Sequence, residues 1–147
     1  MNKSNTITLA ALLLAILASC KDTAKDSARQ LLNQAQTEYR AGRYDAALAA
    51  IDTLRHRYPT AIEERRKALA LWQDATERKA QSQVALLDQQ LQATGQAIDS
   101  LQHAASGGAS MEQKLQLNRL RHKKDSLQAQ FDAQCALVRI VREKRKS

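Results

Sequence analysis

Residues 84–110 read VALLDQQLQATGQAIDSLQHAASGGAS, and the spacing inside them decides the fold class. Val84, Leu87, Leu91, Thr94, Ile98, Leu101 and Ala105 follow one another by steps that alternate between three and four. A helix turns once in about 3.6 residues, so this spacing keeps one stripe on one side, a heptad seam that a second helix must cover. The paired glycines Gly107 and Gly108 then signal a turn. Beyond them the seam resumes at Leu117, Leu120, Lys124, Leu127, Phe131, Gln134, Val138 and Val141. Two heptad helices on so short a loop fold back antiparallel. With the turn centred at 107–108, facing residues have numbers adding to about 215, which sets Ile98 by Leu117, Leu91 by Lys124 and Val84 by Phe131. Lys124 must then carry its charge outward along its aliphatic stem, with Asp88 as candidate counter-ion.

Composition extends this reading to the whole chain. Aromatic residues make up 3% of the 147, with one proline and four glycines, too few for a strand-rich fold. Ala, Leu, Gln, Lys and Arg dominate, all good helix formers, and the expectation is an all-α protein of one-domain size. Past Phe131 the pattern widens: Cys135 and Val138 continue the seam, while Ala133, Leu137 and Ile140 make a second stripe. Two apolar stripes on one helix call for two neighbours.

Residues 27–58 carry two shorter helical patterns. Ser27 is the expected N-cap of the first, in which Leu31, Leu32, Ala35 and Tyr39 recur at helical spacing. Gly42 is expected to end it. Asp45–Arg57 then forms the second helix, with Ala47, Leu48, Ile51 and Leu54 on one face, until Pro59 breaks the chain. The pair resembles a tetratricopeptide repeat. Ala35 stands at the small-residue position of the first helix, Ala47 and Ile51 match the A-x3-F element, and Pro59 follows Ala47 by 12 residues. Leu31, Gln34 and Tyr39 depart from the family pattern. The resemblance implies partner binding in a helical groove, with Gln34, Glu38, Arg40 and Asp52 as polar contacts. A lone helix pair leaves one face open. The last turns of the second hairpin arm, packed on Trp72, are the expected cap.

The amino terminus carries a different kind of signal. Lys3 is followed by an apolar stretch, Ile7 to Leu17, of 11 residues. A permanent membrane span needs roughly 20, so the stretch reads as a cleavable signal. It ends in Leu17-Ala18-Ser19-Cys20, which resembles the lipobox of bacterial lipoproteins. That resemblance implies a diacylglyceryl group on the Cys20 thiol and cleavage just before it, with Ala18 and Ser19 small enough to enter the peptidase site. An ordinary secretory signal with an incidental cysteine is the alternative. The whole chain is similar to small lipoproteins of Bacteroides-type bacteria. The expected organisation is thus a signal over 1–19, a lipidated polar tether over 20–26, a repeat-like segment over 27–78, and a helical hairpin with a basic tail over 79–147.

No catalytic constellation is evident. His56, His103 and His122 lack metal-ligand spacing, and Cys135 is the sole thiol left once Cys20 is acylated. Residues 111–147 hold ten Lys or Arg against four acids, net +6, whereas residues 61–105 are net −1. Arg139, Arg142, Lys144, Arg145 and Lys146 concentrate this charge at the end of the second arm. Such an end suits anionic headgroups, acidic glycans or an acidic protein face. Export and the lack of stacking aromatics count against nucleic acid. The expected function is a non-enzymatic interaction or scaffold module. It is lipid-anchored in the cell or outer membrane, partnered by an envelope protein, with no metal and no cofactor beyond the lipid. A periplasmic holdase chaperone working through the basic hairpin is the alternative.

Overall fold

A computed structural model describes residues 23–146, so Cys20 and the lipobox residues Leu17, Ala18 and Ser19 lie outside the described residues. The described chain is all-α, with no strand. Helix α1 covers 23–40. It is followed by α2 (Tyr44–Arg57), α3 (Ile62–Ala104) and α4 (Met111–Lys146). The chain divides into two compact units between Ala75 and Thr76. The expected boundary at 78/79 therefore falls close by, but inside α3 rather than in a linker.

In the first unit α1 begins earlier than the sequence suggests. Ser27 lies inside the helix and its hydroxyl donates to the Thr23 carbonyl at 2.9 Å, so it is a helix-interior residue and not the N-cap. Residues 23–26 of the expected tether are helical for the same reason: nothing from Thr23 to Asp26 opposes helix formation. The other end behaves as expected. Gly42 takes φ +72°, its N–H bonds the Tyr39 carbonyl at 3.0 Å, and the Arg43 N–H bonds the Glu38 carbonyl at 2.9 Å. This is a Schellman motif, which needs a residue free of Cβ strain at the left-handed position.

The core of this unit is built largely from alanine. Ala28, Leu32 and Ala35 of α1 meet Ala50, Ile51 and Leu54 of α2, Ala61 before α3, and Ala68 within it, with Leu31, Tyr58 and Leu71 packed around them. Small side chains let helix axes approach closely, which leaves Ile51 and Leu54 as the largest fully enclosed residues. Leu48, expected on this face, is half-buried, and Ala50 takes the enclosed position instead. Glu64 is buried on the inward stripe of α3, near its amino end, where the helix dipole favours negative charge. Trp72 is 36% exposed and is not the fully covered anchor that the capping expectation requires.

The second unit carries the heptad seam. Leu87, Thr94 and Ile98 are buried and Val84, Leu91, Leu101 and Ala105 half-buried, and apart from half-buried Gly95 the residues beside them are exposed. Thr94 satisfies its hydroxyl by donating to the Gln90 carbonyl at 2.7 Å. On α4, Leu127 and Val141 are buried and Leu117, Leu120, Phe131, Gln134 and Val138 half-buried. Lys124 is exposed, consistent with a charge carried outward. Asp88 accepts a hydrogen bond from Gln92 at 2.8 Å and so serves its own helix. The second stripe is largely uncovered: Ala133 and Ile140 are exposed and Leu137 is half-buried.

Residues 105–110 connect the two helices. Gly108 adopts φ +117° and its N–H bonds the Ala105 carbonyl at 3.0 Å. Helix α4 then starts with a reciprocal capping box. The Ser110 N–H donates to Gln113 Oε1 at 2.8 Å and the Gln113 N–H to Ser110 Oγ at 3.2 Å. Among the described residues no helix is long and apolar enough to cross a membrane.

Candidate functional site

Two surfaces hold the polar residues singled out in the sequence. The first is the rim of α1 and α2. Gln34 and Glu38 lie one turn apart on α1, on one face. Arg40, two residues past Glu38, sits about 160° around the helix and cannot share that face. Gln34, Arg40 and Asp52 are exposed, but Glu38 is half-buried and bonded to the Arg43 guanidinium Nε. That hydrogen bond holds the Glu38 carboxyl below the usual carboxylate range and raises Arg43. Glu38 thus locks the Gly42 turn from the side-chain side. Asp52 lies with its carboxylate 3.2 Å from His56 Nδ1 on its own helix. Helical periodicity thus sets Arg40 apart from Gln34 and Glu38, and Glu38 and Asp52 are engaged within their own segments.

The second surface is the end of α4. It is helical to Lys146, so the expected basic tail is an ordered helix end. Glu77 organises it. Arg142 Nε donates to Glu77 Oε1 at 2.7 Å, Arg145 Nη2 lies 3.2 Å from Oε2, and Gln81 Nε2 donates to Oε1 at 3.1 Å. The Glu77 side chain is 13% exposed, while those of Arg142 and Arg145 are 56% and 42% exposed. The Arg142 hydrogen bond is the leading cause that holds the Glu77 carboxyl below its ordinary range. Partial desolvation opposes it, and the charges of Arg142, Arg145 and Arg78 add to it. The pair Glu77–Arg142 has numbers adding to 219, against the 215 of the turn-centred register, and it ties the end of α4 to this part of α3.

Glu77 was legible in the sequence and passed over. Continuing the seam upstream of Val84 by four and then three residues reaches Ala80, which is buried, and Glu77. An acid on the seam, level with the densest basic cluster, is the signal.

Arg139, Lys144 and Lys146 complete the end and are exposed. Lys144, Arg145 and Lys146 stand in the last turn, where cations offset the helix dipole. An open recess of about 360 Å³ runs along Cys135, Val138, Arg139, Arg142, Glu143 and Lys146. Cys135 is a free, half-buried thiol. Among the described residues no group of three His, Cys, Asp or Glu side chains is placed to hold a metal. No protein-family model matches the chain, and neither a curated protein nor a solved structure matches it.

Proposed function

We propose that the chain is a lipoprotein of a bacterial cell envelope, anchored through lipid on Cys20, and that its helical body serves as a protein-interaction or scaffold module without enzymatic activity. The apolar stretch ending in Leu17-Ala18-Ser19-Cys20 is the observation that carries this reading. A thiol directly after two small residues is what lipid transfer and cleavage require, and Lys21 and Asp22 are all that separate it from α1. Three peptide units span at most about 11 Å, so an anchor there holds the first helix against the bilayer surface. Gln34, Arg40 and Asp52, each exposed on its own part of α1 or α2, are separate polar contacts offered to an envelope protein.

Palmitate labelling of cells producing the wild-type chain and Cys20→Ser tests the anchor. The wild type should take up label and run at its cleaved size; the variant should stay unlabelled and uncleaved. Normal maturation of Cys20→Ser refutes the assignment.

A second reading, a holdase chaperone, draws on one observation. The hairpin tip leaves Met111 82% and Leu115 50% exposed, one turn apart on α4. Suppression of aggregation of several unrelated unfolded proteins, lost in Met111→Ser with Leu115→Ser, would favour it over a selective scaffold.

A further inference from the structure

The region 139–146 holds five cations, Arg139, Arg142, Lys144, Arg145 and Lys146, against one acid, Glu143. Helix-dipole compensation accounts for cations in the last turn and not for Arg139 or Arg142, which precede it. Glu77 accounts for Arg142 in part. Its carboxylate takes the Nε proton, while four further N–H donors of the same guanidinium belong to a side chain 56% open to solvent. Beside the cations stands an apolar group. Ile140 is 52% exposed, Lys144 lies one turn further along the same side, and half-buried Leu137 lies next to it. Arg139 and Lys146, with Glu143 beside them, lie about 100–120° to one side of Ile140 and Lys144 about 40° to the other, while Arg142 and Arg145 lie about 140–160° away, on the side that meets Glu77. Cations to either side of an exposed branched aliphatic chain at a helix end form the pattern of an interfacial contact: guanidinium and ammonium groups meet phosphates while the aliphatic chain enters the acyl boundary.

We propose that this end of α4, with Arg139, Lys144 and Lys146 to either side of Ile140, is a contact for anionic phospholipid headgroups. The proposal rests on the lipid-anchor reading for its choice of partner, since a chain tethered at Cys20 meets headgroups at high local concentration. An acidic protein face would satisfy the cations but gives no reason for an uncovered Ile140 among them. Glu77 keeps Arg142 and Arg145 on the other side of α4.

The test uses the protein purified from cells with the amino terminus it carries there, bearing an environment-sensitive fluorophore on Cys135. It is reconstituted into vesicles of phosphatidylcholine, alone or with about one third phosphatidylglycerol. Docking should shift the emission to the blue only with phosphatidylglycerol, and about 0.5 M salt should reverse the shift. Removing two cations, as Arg139→Gln with Lys146→Gln, should lower the ratio of docked to undocked protein by roughly 25-fold, about fivefold per charge. Arg119→Gln, an exposed cation near the start of α4, should leave it unchanged. The proposal fails if phosphatidylglycerol causes no shift, or if Arg119→Gln weakens docking as much as the pair does. It also fails if polyglutamate, and not phosphatidylglycerol, causes the shift, which would assign the surface to an acidic protein. Flotation reads the anchor separately. A chain that does not float with phosphatidylcholine vesicles refutes the anchor, and its flotation with phosphatidylglycerol vesicles still decides the role of the α4 end.

Discussion

Leu54→Ala probes the first unit where its packing is thinnest. Leu54 is fully enclosed, and truncation removes three carbon groups, worth about 2.4 kcal/mol at about 0.8 kcal/mol each. A cavity term adds to this, because the neighbours include Ala28, Ala50, Ala61 and Ala68, whose methyl groups are too short to swing into the vacated space. A total near 3 kcal/mol follows, inside the range of about 2.7–5 kcal/mol typical of enclosed leucines. Leu69→Ala is the matched control. At 49% exposed it forfeits about half the transfer term and opens no cavity, so its cost should stay near 1 kcal/mol. Urea titration followed by Trp72 fluorescence reads the first unit directly, since Trp72 is the sole tryptophan and lies within it. A Leu54→Ala cost no larger than that of Leu69→Ala would show that α2 does not close over the alanine face as described.

Three further outcomes follow from the second unit. Native Glu77 holds its proton less tightly than the unfolded chain does, so its contribution to stability is present above about pH 4.3 and fades as pH falls through the lowered native value. Glu77→Gln should accordingly flatten the acid limb of a urea-midpoint profile between about pH 5 and pH 2, and an unchanged limb would show that the Arg142 bond contributes nothing. Ser110→Ala should cost about 1 kcal/mol by removing one half of the capping box, measured by thermal unfolding, with Ser110→Thr retaining most of it. Gly95→Ala should stabilise by about 0.5–1 kcal/mol, because a Cβ added there meets nothing within 4 Å in the middle of α3; a lower melting temperature would contradict that open space.

The two long helices were legible because their physics is periodic. One stripe at Val84, Leu87, Leu91, Thr94 and Ile98 has few alternatives to burial, and the glycine pair leaves one place for the turn. Gly42 and Pro59 were legible for a related reason: each restricts the backbone whatever surrounds it. The start of α1 was not. Ser27 has the chemistry of an N-cap, yet a serine inside a helix bonds back to the carbonyl four residues earlier, and only the residues upstream decide between the two. The unbroken run of α3 past residues 72–79 is carried by the absence of any Gly or Pro there, while its apolar pattern changes from one stripe to another. The capping box was written as Ser110-x-x-Gln113 and needed only to be read. Of the candidate site, the basic cluster was visible as composition. Its organisation by Glu77 required a register, and the scatter of Gln34, Glu38, Arg40 and Asp52 required the helix angle.

The Gly42 turn has a consequence for the order of events in folding. Each bond that closes it, from Ala41 to Thr37, from Gly42 to Tyr39, from Arg43 to Glu38, and the Arg43–Glu38 side-chain pair, joins residues no more than five apart. Closing so short a segment costs little chain entropy, and contacts of such low sequence separation form on the fast end of the folding timescale. The bend between α1 and α2 can therefore be in place before any distant residue has arrived. The Glu77–Arg142 bond joins groups 65 residues apart and must wait until both α3 and the end of α4 have been made. Synthesis from the amino terminus would deliver these elements in that same sequence, so the part of the molecule that needs no help from the rest is also the part that emerges first.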